Sequence, residues 1–125
     1  MDLVNKSKYN IILGSGSSRR KELLGMTGIN FSVMSIPVDE SFPDSLQGKE
    51  ISEYIVKNKS DAFNNLIKEN EIIITADTLV WFENKCLGKP KDKKEAKYML
   101  KLFAGKSHDV ITSCLLYTSD AADDL

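Results

Sequence analysis

The sequence predicts an α/β fold, a twisted mixed sheet flanked by helices, and three stretches carry that prediction. Lys8 to Leu13 (KYNIIL) is a short β-rich apolar run that stops at a Gly-Ser cluster and passes into helix-forming residues. From Ile51 to Asn70 the residues Ile51, Tyr54, Ile55, Ala62, Phe63, Leu66 and Ile67 recur at helical spacing, the pattern of a long amphipathic helix. Ile72 to Thr75 (IIIT) is β-branched throughout and does not alternate, as a central strand covered on both faces requires.

The remaining elements follow in order. After the first strand, a helix over Arg19 to Met26 carries Leu23, Leu24 and Met26 as its apolar positions, and Gly28 ends it. Ile29 to Val38 (INFSVMSIPV) reads as a second strand, with Pro37 near its end, where a missing donor matters least. A polar loop, DESFPDSLQGKE, leads into the long helix. Within that helix Lys59 falls between Ile55 and Phe63, on or beside the inward face; a stem that packs while its ammonium reaches water is the plainest account of it. Behind IIIT, Ala76-Asp77-Thr78 sets a carboxylate at the C-terminal end of a buried strand, where ligand sites collect in open α/β sheets. Leu79 to Phe82 and Cys86-Leu87 make a hairpin around Glu83-Asn84-Lys85, which Gly88-Lys89-Pro90 ends. Lys93 to Leu102 is a second amphipathic helix, Gly105 stops it, and Ser107 to Thr112 returns as a strand.

Composition narrows the function. The chain has 125 residues, 42% hydrophobic and 28% charged, within the range of one ordinary globular domain. A net charge of -1 argues against nucleic acid as the main partner, because neutralising phosphates at scale leaves a basic excess. Cys86 and Cys114 have neither a close partner cysteine nor metal-ligand spacing to a histidine. No apolar run approaches the roughly 20 residues needed to cross a bilayer, and MDLVNKSKYN lacks a signal-peptide core. A cytoplasmic protein with no membrane partner is expected.

The stretch LGSGSSRRKELL, residues 13 to 24, carries the sharpest chemistry. It lacks both the third glycine of a dinucleotide fingerprint and the Gly-Lys-Ser/Thr ending of a Walker loop. Arg19, Arg20 and Lys21 nevertheless fall in the first turn of a helix, where each cation is disfavoured by about 0.3 to 1 kcal/mol. Ser18 forms no capping box, since Glu22 comes four residues later rather than three. A bound polyanion removes the penalty, and serine hydroxyls and free amides donate to its oxygens. Asp39, Glu40 and Asp77 follow strands, and with Lys59 and Lys89 they offer hard metal ligands, a base and electrophilic charge for phosphoryl chemistry. His108 reads as an ordinary strand residue.

Taken in order, these segments resemble the Maf family of nucleoside triphosphate pyrophosphatases, house-cleaning enzymes related in fold to the inosine triphosphatase group. LGSGSSRRKELL is similar to the family's serine-x-serine-proline-arginine-arginine opening, PVDES to its valine-aspartate-glutamate segment, and IVKNKS to its lysine-bearing helix. ITADTLV, LGKPKD and AKYMLKLFAGKSHDVIT look like its central signatures. The resemblance implies that Ser15, Ser17, Arg19 and Arg20 hold the triphosphate of a nucleoside triphosphate substrate. It implies that Glu40 and Asp77 bind a divalent metal, Mg²⁺ or Mn²⁺, or activate water, with Asp77 the proton acceptor. Lys59 and Lys89 would stabilise charge on phosphate, and Thr78 and Arg19 would bear on base choice. Ala-Asp-Thr looks like the branch acting on dTTP and UTP; the branch acting on 7-methyl-GTP tends to carry Ser-Asp-Gln. A non-catalytic nucleotide or polyphosphate binder, or an inactive fragment, stays open, as does a homodimer.

Two departures accompany the resemblance. Ser18 stands where the family has proline, and is expected to cap the helix instead. Family members also continue into a second half, so residues 1–113 read as the N-terminal part of an incomplete Maf/inosine triphosphatase-like domain. Residues 114–125, CLLYTSDAADDL, continue no periodic pattern and resemble the translation of a transposase adapter, hence a non-native tail.

Overall fold

A computed structural model describes residues 9–120. Five strands share one mixed sheet: β1 (Asn10–Leu13), β2 (Phe31–Val33), β3 (Glu71–Phe82), β4 (Lys85–Leu87) and β5 (Asp109–Thr118). Three helices connect them, α1 (Ser18–Gly25), α2 (Lys49–Asp61) and α3 (Lys93–Phe103). β1 lies parallel to β2 and to the start of β3, whereas β4 and β5 run antiparallel to β3.

β3 organises the rest. Sequence reading divides it into two strands around Ala76-Asp77-Thr78, but the twelve residues form one strand, because β5 pairs with it continuously from Ile72↔Thr118 to Trp81↔Asp109. A non-local ladder overrides the weak local β preference of Ala-Asp-Thr. Asp77 therefore sits mid-strand, not at a strand end. Beyond Phe82 the chain reverses through Glu83 and Asn84, both at positive φ, the two-residue turn that matches strand twist in a hairpin.

α2 covers the sheet. Its inward positions Ile51, Ser52, Ile55, Val56 and Ser60 are buried. Ile51 and Ile55 pack with Leu79 in one core cluster; Phe63 packs with Ile12, Ile73 and Tyr117 in another. Two hydroxyl pairs pin the helix to the strands beneath it: Ser60 with Thr75 and Ser52 with Ser113, each at 2.6 Å. The helix is shorter than its apolar periodicity suggests. It ends at Asp61, and successive turns over 62–66 swing Phe63 and Ile67 onto the β1 side of the core. The second strand is shorter too: Met34 N–H makes the last bond to Leu13, and Ser35 to Val38 leave the sheet to form a wall.

β5 runs beyond Thr112, across the 113/114 boundary, pairing Cys114 to Thr118 with Ala76 to Ile72 and burying Tyr117. The Tyr117 hydroxyl donates to Asn64 Oδ1 at 2.5 Å. The last part of the predicted tail, residues 121–125, lies outside the described residues. His108 stacks on Phe103, centroids 4.3 Å apart, as a structural side chain.

Candidate active site

The site begins as a break in the sheet. β5 occupies one edge of β3, so β1 and β4 must share the other. The β1 ladder stops at Ile74, closed by Gly14 N–H donating to its carbonyl at 2.8 Å, and the β4 ladder starts at Val80. On that edge Thr75 to Leu79 have no strand neighbour among the described residues. A change of neighbour of this kind is where open α/β sheets hold ligands.

Backbone polar groups stranded in such a gap need other partners. The Ala76 carbonyl takes two cations: Lys59 Nζ donates to it at 3.1 Å and Arg20 Nη1 at 3.3 Å. Each is delivered by a separate element. Arg20 comes from the first turn of α1, which starts where β1 ends in Gly14-Ser15-Gly16. Gly14 is required there, since a Cβ would stand 2.9 Å from the Phe63 ring. Ser17, not Ser18, is the N-cap: its hydroxyl accepts from Arg20 N–H at 3.2 Å, and Ser18 becomes the first helical residue, the position proline favours. The Ser15 hydroxyl accepts from Ser17 N–H at 3.1 Å, holding the loop closed beneath the helix.

Lys59 arrives from the last turn of α2, beside the buried Ser60 anchor. Its ammonium lies 3.6 Å from Asp77 Oδ1 and 3.6 Å from Glu40 Oε1. The stem packs as expected, but the ammonium, in a side chain only 19% exposed, turns into the site instead of reaching for water. Glu40 is carried by the turn after Val38, where Asp39 Oδ1 accepts from Ser41 N–H at 2.9 Å. That bond, with the Ser41 hydroxyl, holds the Asp39 carboxyl below its usual range. Asp39 thus shapes the turn, and Glu40 faces the cation.

Asp77 is buried, and burial pushes its carboxyl above the ordinary value of 3.8. Lys59 opposes that rise, Glu40 adds to it, and Arg20 opposes it less. A carboxylate made more basic by desolvation beside a cation suits proton acceptance.

Around these groups lies a polar cleft of about 380 Å³, walled by the serine loop, Arg20, Ser35 to Val38, Glu40, Lys59 and Lys89. A more apolar compartment of about 430 Å³ adjoins it, sharing Glu40 and Lys89 and reaching Asp77, Thr78, Cys86 and Met99. Of the residues predicted from sequence, Ser15, Ser17, Arg20, Glu40, Lys59, Asp77, Thr78 and Lys89 line these two spaces. Arg19 does not. Consecutive helical residues point about 100° apart, and Arg19 turns to solvent, paired with Glu22 at 3.0 Å. Thr112, read from sequence only as the end of a strand, stands behind Thr78 with its hydroxyl 2.9 Å away. The spacing between them, 34 residues, hides a pair that only the β3–β5 register reveals. The expected contrast is sharp: Arg20→Ala weakens binding of inorganic tripolyphosphate at least about tenfold, the weight of a charge-assisted contact, while Arg19→Ala stays within about twofold. Titration calorimetry on both variants checks it.

The family model described as Maf-like protein matches residues 10–124. A dTTP/UTP pyrophosphatase of Bacteroides fragilis is 47% identical over 119 residues, 94% of this chain and 62% of that protein. A dTTP/UTP pyrophosphatase of Flavobacterium johnsoniae is 41% identical over 114 residues, covering 91% and 59% respectively. Among solved structures, a nucleoside-triphosphatase / dITP/XTP pyrophosphatase of Mycobacterium abscessus aligns with 89% of this chain and 65% of its own, at 11% identity and a TM-score of 0.45. The chain thus spans about three fifths of the length of the curated relatives it matches.

Proposed function

The chain belongs to the Maf-like protein family, and from that premise we propose that its cleft binds a nucleoside triphosphate, dTTP or UTP, and hydrolyses it to the monophosphate and pyrophosphate. The supporting observation is the buried Asp77 in the β3 gap, flanked by two cations that share the Ala76 carbonyl. Close relatives named for dTTP and UTP supply the substrate. Cytoplasmic cleansing of the nucleotide pool is the role that goes with it.

In this reading Ser15, Ser17 and the amides opening α1 donate to phosphate oxygens, and Arg20, anchored on Ala76 and Thr78, turns its remaining N–H groups to them. Asp77 takes the proton of the attacking water. Lys59 keeps Asp77 oriented and stabilises charge developing on phosphate, with Lys89 contributing from the rim. Water attacks between the α- and β-phosphates, so one P–O bond forms as the bond to the leaving pyrophosphate breaks. Glu40 and Asp77 would hold a divalent cation such as Mg²⁺ or Mn²⁺ beside the Lys59 ammonium, which both carboxylates face at 3.6 Å, since Mg²⁺ is commonly held by one or two carboxylates plus substrate phosphates. When bound, that cation spreads charge on the departing group.

Incubating the protein with dTTP, UTP and Mg²⁺ and resolving products by ion exchange tests the reading. Equimolar monophosphate and pyrophosphate is expected; orthophosphate alone, or no product above blank, overturns it. We also infer that residues 114–125 are foreign to the gene, from the resemblance of CLLYTSDAADDL to a translated adapter. Sequencing the locus from its source decides that: genomic codons for this tail would refute it.

A further inference from the structure

We propose that Thr112 is a positioning residue, setting Arg20 in the cleft through the hydroxyl of Thr78; the inference rests on the pyrophosphatase reading for its catalytic consequence. Thr112 and Thr78 are direct cross-strand partners in the β3–β5 ladder, with Oγ1 atoms 2.9 Å apart. Thr78 Oγ1 also accepts from Arg20 Nη2 at 2.9 Å. The three side chains form one line from β5 through β3 to α1.

The chemistry of the line is directional at one end. A guanidinium only donates, so Thr78 must offer a lone pair to Arg20. A threonine in a strand has few χ1 choices, and one of them presents a methyl group where the oxygen now stands. The Thr112 hydroxyl selects the productive rotamer, because only that rotamer brings the two oxygens into hydrogen-bond range. Whichever threonine supplies the hydrogen, Thr78 keeps a lone pair for Arg20. With Nη2 fixed on Thr78 and Nη1 on the Ala76 carbonyl, the fork is held at two points and its plane is set before any ligand arrives.

Thr112 is itself exposed and packs little, so its loss removes the hydroxyl contact rather than a piece of core. Thr112→Val keeps the shape and deletes the hydroxyl; Thr112→Ser restores it. The ligand-free readout is the Arg20 Nη2–H signal in ¹⁵N NMR, the group that donates to Thr78, assigned by its disappearance in Arg20→Lys. Slow solvent exchange of that proton is expected in the parent and in Thr112→Ser, with exchange faster by about tenfold in Thr112→Val. In the dTTP assay, Thr112→Val is expected to raise KM about tenfold with kcat within twofold, and Thr112→Ser to restore KM. Equal exchange protection of Arg20 in Thr112→Val and the parent would overturn the proposal. If the parent turns over no nucleotide, the pyrophosphatase reading fails while the exchange measurement still decides whether Thr112 positions Arg20.

Discussion

Asp77→Asn is expected to lower dTTP turnover by about two to four orders of magnitude, the usual weight of a positioned general base, while raising the thermal midpoint at neutral pH. The two effects share one cause. Burial is the largest influence on Asp77, and it lifts the carboxyl above 3.8 despite Lys59. The folded state therefore prefers the protonated acid more than the unfolded state does. Its contribution to stability is most favourable below the ordinary carboxylate value and is lost as pH rises through the folded value. At neutral pH the ionised group is a standing penalty, which asparagine removes without changing shape. Thermal scans at pH 7 and near pH 3 check the sign: a gain at pH 7 that vanishes at low pH is expected, and a loss at pH 7 would contradict it. The parent's kcat/KM should fall on the acid side, with a midpoint above 3.8 in the free enzyme.

Lys59→Met is the complementary experiment and should move stability the other way. Methionine keeps the apolar stem of a side chain that is only 19% exposed, so the change isolates the charge. Lys59 is the strongest influence holding the Asp77 carboxyl down, and it also faces Glu40 and bonds to the Ala76 carbonyl. Without it a buried carboxylate loses its nearest cation. The expected results are turnover lower by about 10² to 10³, an acid limb displaced to higher pH, and a lower thermal midpoint at neutral pH. In Asp77→Asn/Lys59→Met the stability loss should shrink, since no buried anion is left uncompensated. A double variant as unstable as Lys59→Met alone would separate Lys59 from Asp77 energetically.

The legible part of this protein is the part written in local pattern. The apolar stripe of Ile51 and Ile55 reveals α2 and puts Lys59 on its inner side; the serine and arginine cluster after KYNIIL marks the loop that opens α1. What sequence spacing hides is set by pairing at a distance. Ala-Asp-Thr looks like a break between two strands and is instead the middle of β3, because Cys114, Ser113 and Thr112 pair alongside it. Arg19 and Arg20 look equivalent as neighbours, yet the turn of α1 sends one to Glu22 and the other to Ala76 and Thr78. INFSVMSIPV alternates well enough for a long strand, but β1 is only four residues long and leaves Ser35 to Val38 nothing to pair with on its side.

The shared carbonyl of Ala76 has a thermodynamic consequence. Arg20 and Lys59 are drawn within 3.3 Å of a single oxygen that carries only a partial charge. Two like charges so gathered repel each other, and the carboxylates of Asp77 and Glu40, each 3.6 Å from the Lys59 ammonium, offset that repulsion. The cleft thus sets two cations against two carboxylates before any ligand arrives. Part of the cations' charge is already met by Asp77 and Glu40, so added salt should erode polyanion binding less steeply than the count of cations implies.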